Sequence, residues 1–177
     1  ENPNDWAYDD YEKDKARGYI IGKNYIGKYG MRYGIYAIRN EMEIPNNLTE
    51  NPYTLRIKIN GKDIKDYNVD YMDIMQNAFS FYTKDCINNP MAFRDWMSGL
   101  DWGVYMDSGA MYQNILLIFE DWNQVGKALL NSGEKVRDKI LADFIKRENN
   151  ENGILDWFAL NYGANDDELK CFNIYLV

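Results

Sequence analysis

The sequence predicts an α+β domain, with a small antiparallel sheet packed against four to five helices. Three observations predict it. In TLRIKINGKDIKDY, residues 54–67, Leu55, Ile57 and Ile59 alternate with Arg56, Lys58 and Asn60, and Asn60-Gly61 offers the positive φ angles of a tight hairpin turn. The closing CFNIYLV, residues 171–177, is a nearly unbroken apolar run of strand length. Between these two stretches, apolar residues recur at helical spacing. Strands first, helices in the middle and one strand last is an α+β order.

The elements follow in sequence. Residues 1–14 form an acidic N-terminal segment in which Trp6, Tyr8 and Tyr11 are possible anchors. Residues 15–67 are mainly β, beginning with a ribbon of two strands at about 19–25 and 31–39, and four glycines between Gly22 and Gly34 argue for twist or bulge there. Residues 68–163 are mainly α. Asn68 can cap a helix over 69–86 with the stripe Val69, Met72, Met75, Phe79, Tyr82 and Cys86. Asn89-Pro90 can open a short helix that stops at Gly99. Ile115, Phe119, Trp122, Val125 and Leu129 line one face of another. Asn131 and Glu134 can cap 134–148, with Val136, Ile140, Phe144 and Ile145 inward, and a last helix spans about 153–162. At 177 residues, with neither an internal repeat nor a linker rich in Pro, Gly or Ser, residues 1–177 are expected to form a single domain.

Composition removes several chemistries. With 46% hydrophobic and 15% aromatic residues the chain can bury a core, and no apolar run approaches the ~18 residues of a membrane span. Histidine is absent, and with it the commonest general base, the usual partner of a Ser or Cys nucleophile and the most frequent transition-metal ligand. Cys86 and Cys171 make no metal-ligand spacing; one disulfide and two buried free thiols are both open. The first residue is Glu1, so a removed signal peptide and a trimmed tag stay open, and the expected location is the cytoplasm with secretion as the alternative.

GKNYIGKY, Gly22 to Tyr29, comes within one residue of a phosphate-binding loop. It fails three requirements. The preceding apolar stretch is only Tyr19, Ile20 and Ile21; Gly30 and Gly34 weaken any following helix; and Tyr29 stands where a small hydroxyl is needed. Other candidates are weaker. Asp70 and Asp73 suit a solvated helix face, and Asp101 and Asp107 flank WGVYM without a third ligand. ENNENG, 148–153, lacks the closing Glu of a calcium loop because its twelfth position is Ala159. The five tryptophans are expected to be mostly structural. No catalytic residue, cofactor or metal site is expected.

Charge points instead to partners. Net charge is -8, yet it is segmented: net -5 over 1–14, +6 over 15–65, -7 over 66–126, +3 over 127–147 and -5 over 148–177. From Arg17 to Arg39 run five bases, five tyrosines and no acid. Cations interleaved with rings are what single-stranded nucleic-acid platforms use, and Tyr and Arg also dominate protein hot spots. The expected function is therefore non-catalytic: an acidic inhibitor that occludes a larger nucleic-acid-handling enzyme or nuclease, as phage anti-defence and toxin-immunity proteins do. The expected partner-binding residues are Asp9, Asp10, Glu12 and Asp14 as carboxylates for a basic protein surface, with Lys23, Lys28, Tyr29, Arg32, Tyr33 and Tyr36 of the ribbon as anchors. Two alternatives remain, a single-stranded nucleic-acid binder working through residues 17–39 and a secreted glycan- or protein-binding domain.

Overall fold

A strand buried on both faces is apolar along its whole length, so its sequence does not alternate. NILLIFE is such a run. In the computed structural model, which describes residues 19–26, 32–100, 104–127, 133–145, 152–161 and 169–177, it forms an inner strand of the sheet. The strands are β1 (Tyr19–Ile26), β2 (Arg32–Ala37), β3 (Thr54–Asn60), β4 (Asn114–Glu120) and β5 (Cys171–Leu176), in the order β1-β2-β5-β4-β3. Pairings β2–β5, β5–β4 and β4–β3 are parallel, and only β1 runs antiparallel, on β2 at the edge. The expected small antiparallel sheet is therefore corrected to an α/β-type arrangement built on four parallel strands.

The 54–67 hairpin is likewise corrected. β3 pairs with β4, some sixty residues away, and the chain turns after Asn60 into a 3-10 turn, Gly61–Asp63. Asn60 keeps φ at -87° while its side chain accepts from Lys62 N. The dipeptide thus caps a turn and does not reverse a strand. The two ribbon strands are found where expected, and a shift of register between Ile21 and Tyr25 supplies the bulge. β1 runs unbroken through Gly22 to Ile26, so the phosphate-loop match lies largely in a strand.

Among the described residues five α-helices accompany the sheet: α1 (Asn46–Thr49), α2 (Met72–Ala78), α3 (Pro90–Gly99), α4 (Gly133–Phe144) and α5 (Ile154–Asn161). α3 starts as expected, with Asn89 Oδ1 accepting from Ala92 N at 3.3 Å and Pro90 in its first turn. The helix expected over 69–86 is shorter. It enters through a π turn, Tyr67–Tyr71, capped by Asp66 rather than Asn68, and α2 ends at Ala78. The helix expected on the face Ile115, Phe119, Trp122, Val125 and Leu129 is replaced by β4 and a 3-10 turn at Trp122–Gln124, and Leu129 lies outside the described residues.

Crossovers between parallel strands are right-handed, so their direction of travel decides the face they cover. From β3 the chain steps to β4 and then β5, whereas from β2 it travels the opposite way to reach β3. The longer helices consequently share one face. There Phe79, Phe144 and Phe158 surround Phe172 of β5 at 6.4, 6.0 and 5.8 Å, and Tyr71 meets Phe119 of β4 at 6.5 Å. On the other face Tyr36 stacks on Tyr175 at 5.1 Å. Lys58, which alternates with inward Ile57 and Ile59, reaches Glu41 of the β2–β3 connection from that second face. A polar row runs along it too: Cys171 Sγ donates to Asn114 Oδ1 at 2.8 Å, and Asn114 Nδ2 donates to Thr54 Oγ1 at 3.4 Å. Both cysteines are buried and free.

Candidate functional site

On the helical side, the π turn and α2 present carboxylates at i, i+4 and i+7. Asp66 Oδ1 accepts from Val69 N and Asp70 N at 2.9 and 3.0 Å, Asp70 Oδ2 accepts from Lys65 N at 3.0 Å, and Asp73 Oδ1 accepts from Gln76 Nε2 at 3.1 Å. These bonds hold the acids in place. Beside them sits an apolar group in solvent. Asn88 N donates to Asn68 O at 2.7 Å, so Val69 and Ile87, each 40% exposed, flank one joint. Met91, 72% exposed, follows on the first turn of α3, with exposed Asp95 one turn beyond. Tyr82, 85% exposed, lies in the same 79–89 loop as exposed Asp85. Exposed Val69, Ile87, Met91 and Tyr82 thus lie on the same short segments as five aspartates, with Lys65 and Lys84 on those segments and Lys139 Nζ 5.6 Å from the Tyr67 ring. Arg94 points inward, its Nε 3.9 Å from buried Asp143 Oδ1, and Asp143 also accepts from the Tyr67 hydroxyl.

A second feature lies at the carboxyl ends of the parallel strands, where ligands bind in open α/β sheets. An open cleft of about 620 Å³ is lined by Ala37 at the end of β2 with Ile38 and Arg39 after it, by Glu120 at the end of β4 with Asp121, Trp122 and Asn123 after it, and by Leu176 at the end of β5 with Val177 after it, with Glu41 at one side. It exists because the chain leaves β2 toward one face and β4 toward the other, so the two exits part over the end of β5. Lys58 Nζ bridges Glu41 Oε2 at 2.9 Å and Glu120 Oε1 at 3.2 Å, and Lys62 Nζ pairs with Asp121 Oδ2 at 3.3 Å. Glu41 is held below the ordinary carboxylate value, first by its hydrogen bond to Glu120 and then by Lys58, and the Lys58 ammonium is pushed up by the same two partners.

The residues expected from sequence fare unevenly. Asp9, Asp10, Glu12, Asp14, Lys28 and Tyr29 lie outside the described residues. Lys23 falls within β1 and Arg32 opens β2. Tyr33 and Tyr36 are corrected: both rings are buried and neither is a surface anchor. Tyr33 stacks on Tyr25 at 5.5 Å and its hydroxyl donates to Leu155 O at 3.4 Å, so it fills the sheet–helix core. Sequence reasoning passed over Val69, Tyr82 and Ile87. The first two were assigned to a helical stripe that the chain leaves at Ala78.

Among the described residues no three or more Cys, Asp or Glu side chains converge as a metal site, and no helix is long and apolar enough to cross a membrane. Comparison with known protein families, with curated proteins and with solved structures finds no match.

Proposed function

We propose that this protein is a non-catalytic interaction protein that occludes a partner with a basic surface, in the manner of an acidic inhibitor of a nuclease or other nucleic-acid-handling enzyme. One observation carries the reading: Val69, Ile87, Met91 and Tyr82 are exposed on segments 66–73 and 82–95, joined at Asn68–Asn88, that also carry Asp66, Asp70, Asp73, Asp85 and Asp95. Exposed apolar clusters rimmed by polar groups mark interaction sites. The rim selects the partner's sign. A second copy of the chain brought against this surface by a two-fold axis would face aspartates with aspartates, so the surface favours a basic partner over self-association. The nucleic-acid alternative loses Tyr33 and Tyr36 as stacking rings, and no observation favours it over occlusion.

The test is capture from the source cells followed by kinetics on the purified partner. Asp73→Lys with Asp95→Lys should slow association roughly tenfold at low salt and flatten its salt dependence, since rim charges act mainly on the on-rate. Met91→Ala should instead speed dissociation. A captured nucleic acid, or a basic partner whose kinetics ignore all three substitutions, would refute the proposal.

A further inference from the structure

Peroxide chemistry needs an accessible sulfur, and the described residues distribute theirs unevenly. Both thiols are withheld. Cys86 and Cys171 are buried, and burial pushes them up to about 11 and about 12, so neither offers a thiolate to a hydroperoxide. Met72, Met75 and Met97 are fully buried, and Met106 and Met111 are half-buried. Among the described residues the exposed thioethers are Met42, at 88%, and Met91, at 72%. A thioether has no proton to lose, so access decides its reactivity.

These two sulfurs lie on opposite faces of the sheet. Met42 belongs to the β2–β3 connection, next to Glu41, which Lys58 reaches from the second face. Met91 is on the helical side, in the first turn of α3 after Pro90, on the segment that also carries Asp85, Ile87 and Asp95. The turn beneath it is fixed independently of its side chain. Asn89 Oδ1 accepts from Ala92 N at 3.3 Å, and Phe93 is fully buried with its ring 5.6 Å from that of Tyr71. A chemical change confined to Met91 therefore alters the surface and leaves α3 in place.

We infer that Met91 is an oxidation-sensitive switch of the interaction surface: a hydroperoxide converts its thioether to a sulfoxide, and the surface releases its partner. The sulfur lone pair takes one peroxide oxygen as the O–O bond breaks, and the other oxygen leaves, protonated, as water or an alcohol. Sulfur loses two electrons and the peroxide gains them. The product replaces a flexible apolar group by a polar one that resists burial under a partner. A methionine sulfoxide reductase reverses the step, with two thiols becoming a disulfide and the oxygen leaving as water. The inference rests on the occlusion reading, because Met91 must be covered in the complex.

The first measurement needs no partner. The protein is treated with millimolar hydrogen peroxide, and methionine oxidation is followed by peptide mass mapping. Met91 and Met42 should react at least about tenfold faster than Met72, Met75 and Met97. Met91 reacting as slowly as those three overturns the inference whatever the partner is. The second measurement uses the purified partner from the capture experiment. Oxidised protein should dissociate about tenfold faster than untreated protein, and reductases for both sulfoxide epimers should restore the slow rate. Met91→Leu removes the sulfur and, whatever its own dissociation rate, that rate should not respond to peroxide. Met42→Leu, on the other face, should respond as the native protein does. Peroxide acting equally on Met91→Leu and the native protein overturns the switch. So does an unchanged rate after oxidation when Met91→Ala does speed dissociation, and in that case the occlusion reading stands. Met91→Ala without effect on dissociation removes both.

Discussion

Gly61→Ala tests how tightly the β3 exit is locked to the cleft. A Cβ at this position would sit 2.4 Å from Asp121 O, 2.9 Å from Val125 Cγ2 and 3.0 Å from Asp121 C. Ordinary contact begins near 3.5 Å, so Asp121 would have to retreat by about 1 Å. It has little freedom to do so. Asp121 is held at φ +48°, its carbonyl accepts from Gln124 N at 2.8 Å, and the next residue, Trp122, donates to Val177 O at 2.9 Å. Overpacking against fixed atoms costs about 1–3 kcal/mol. For a chain of 177 residues that is a fall in Tm of about 2–12 °C, measurable by thermal and urea unfolding. Gly109→Ala is the control. Gly109 has φ +88° with nothing within 4 Å of the added atom, so it carries conformational strain alone, about 1 kcal/mol. A Gly61→Ala change under about 0.5 kcal/mol, or smaller than that of Gly109→Ala, would refute the close approach as the reason for glycine.

Two further outcomes test the sheet and the buried thiols. Phe119 is fully buried against Tyr71 at 6.5 Å and Trp122 at 5.3 Å, so Phe119→Ala should cost about 3–5 kcal/mol in urea unfolding, and a loss below about 1 kcal/mol would deny β4 its inner position. Burial pushes the Cys86 thiol up to about 11 and that of Cys171 up to about 12, and it raises Tyr33 and Tyr71 well above the phenol range. All four are acids favoured neutral in the fold, so their contribution is full below the ordinary thiol value of 9.0 and is lost as pH rises toward 12. The urea midpoint should fall over that window, and both thiols should resist Ellman's reagent at pH 8 until the chain unfolds. A midpoint flat to pH 11, or native thiols that react at once, would contradict it.

Local signals in the sequence were legible where the structure uses them locally. The ribbon strands, β5, and α3 with its Asn89 cap and Pro90 all rest on neighbours within a few residues. The sheet's connectivity was not, because its partners are remote: Leu55, Ile57 and Ile59 alternate as in a hairpin, but their neighbour is Ile115, Leu117 and Phe119. In β4 the trouble is periodicity. Ile115, Phe119 and Trp122 also fall at i, i+4 and i+7, so a strand buried on both faces passes for an amphipathic helix. The acidity of 66–126 was visible, and Asp70 and Asp73 do lie on a solvated face. The apolar centre beside them depends on where α2 stops, and the 79–89 loop beyond it carries no strong breaker until Pro90. The cleft was out of reach altogether, since residues 37–41, 120–123 and 176–177 meet only once the strand order is known.

Charge is used differently on two parts of the fold. At the carboxyl ends of the strands, Lys58 bridges Glu41 and Glu120 and Lys62 pairs with Asp121, so these carboxylates are met at contact by cations of the same chain. Among the described residues, none of Asp66, Asp70, Asp73, Asp85 and Asp95 is bridged by a lysine in this way, and their field reaches a basic partner before contact. Raising salt should therefore slow association at the Met91 surface, while the Lys58 and Lys62 pairs, local and already formed, should change folding stability by less than about 1 kcal/mol. An association rate that ignores salt would refute the assignment of steering to the aspartates.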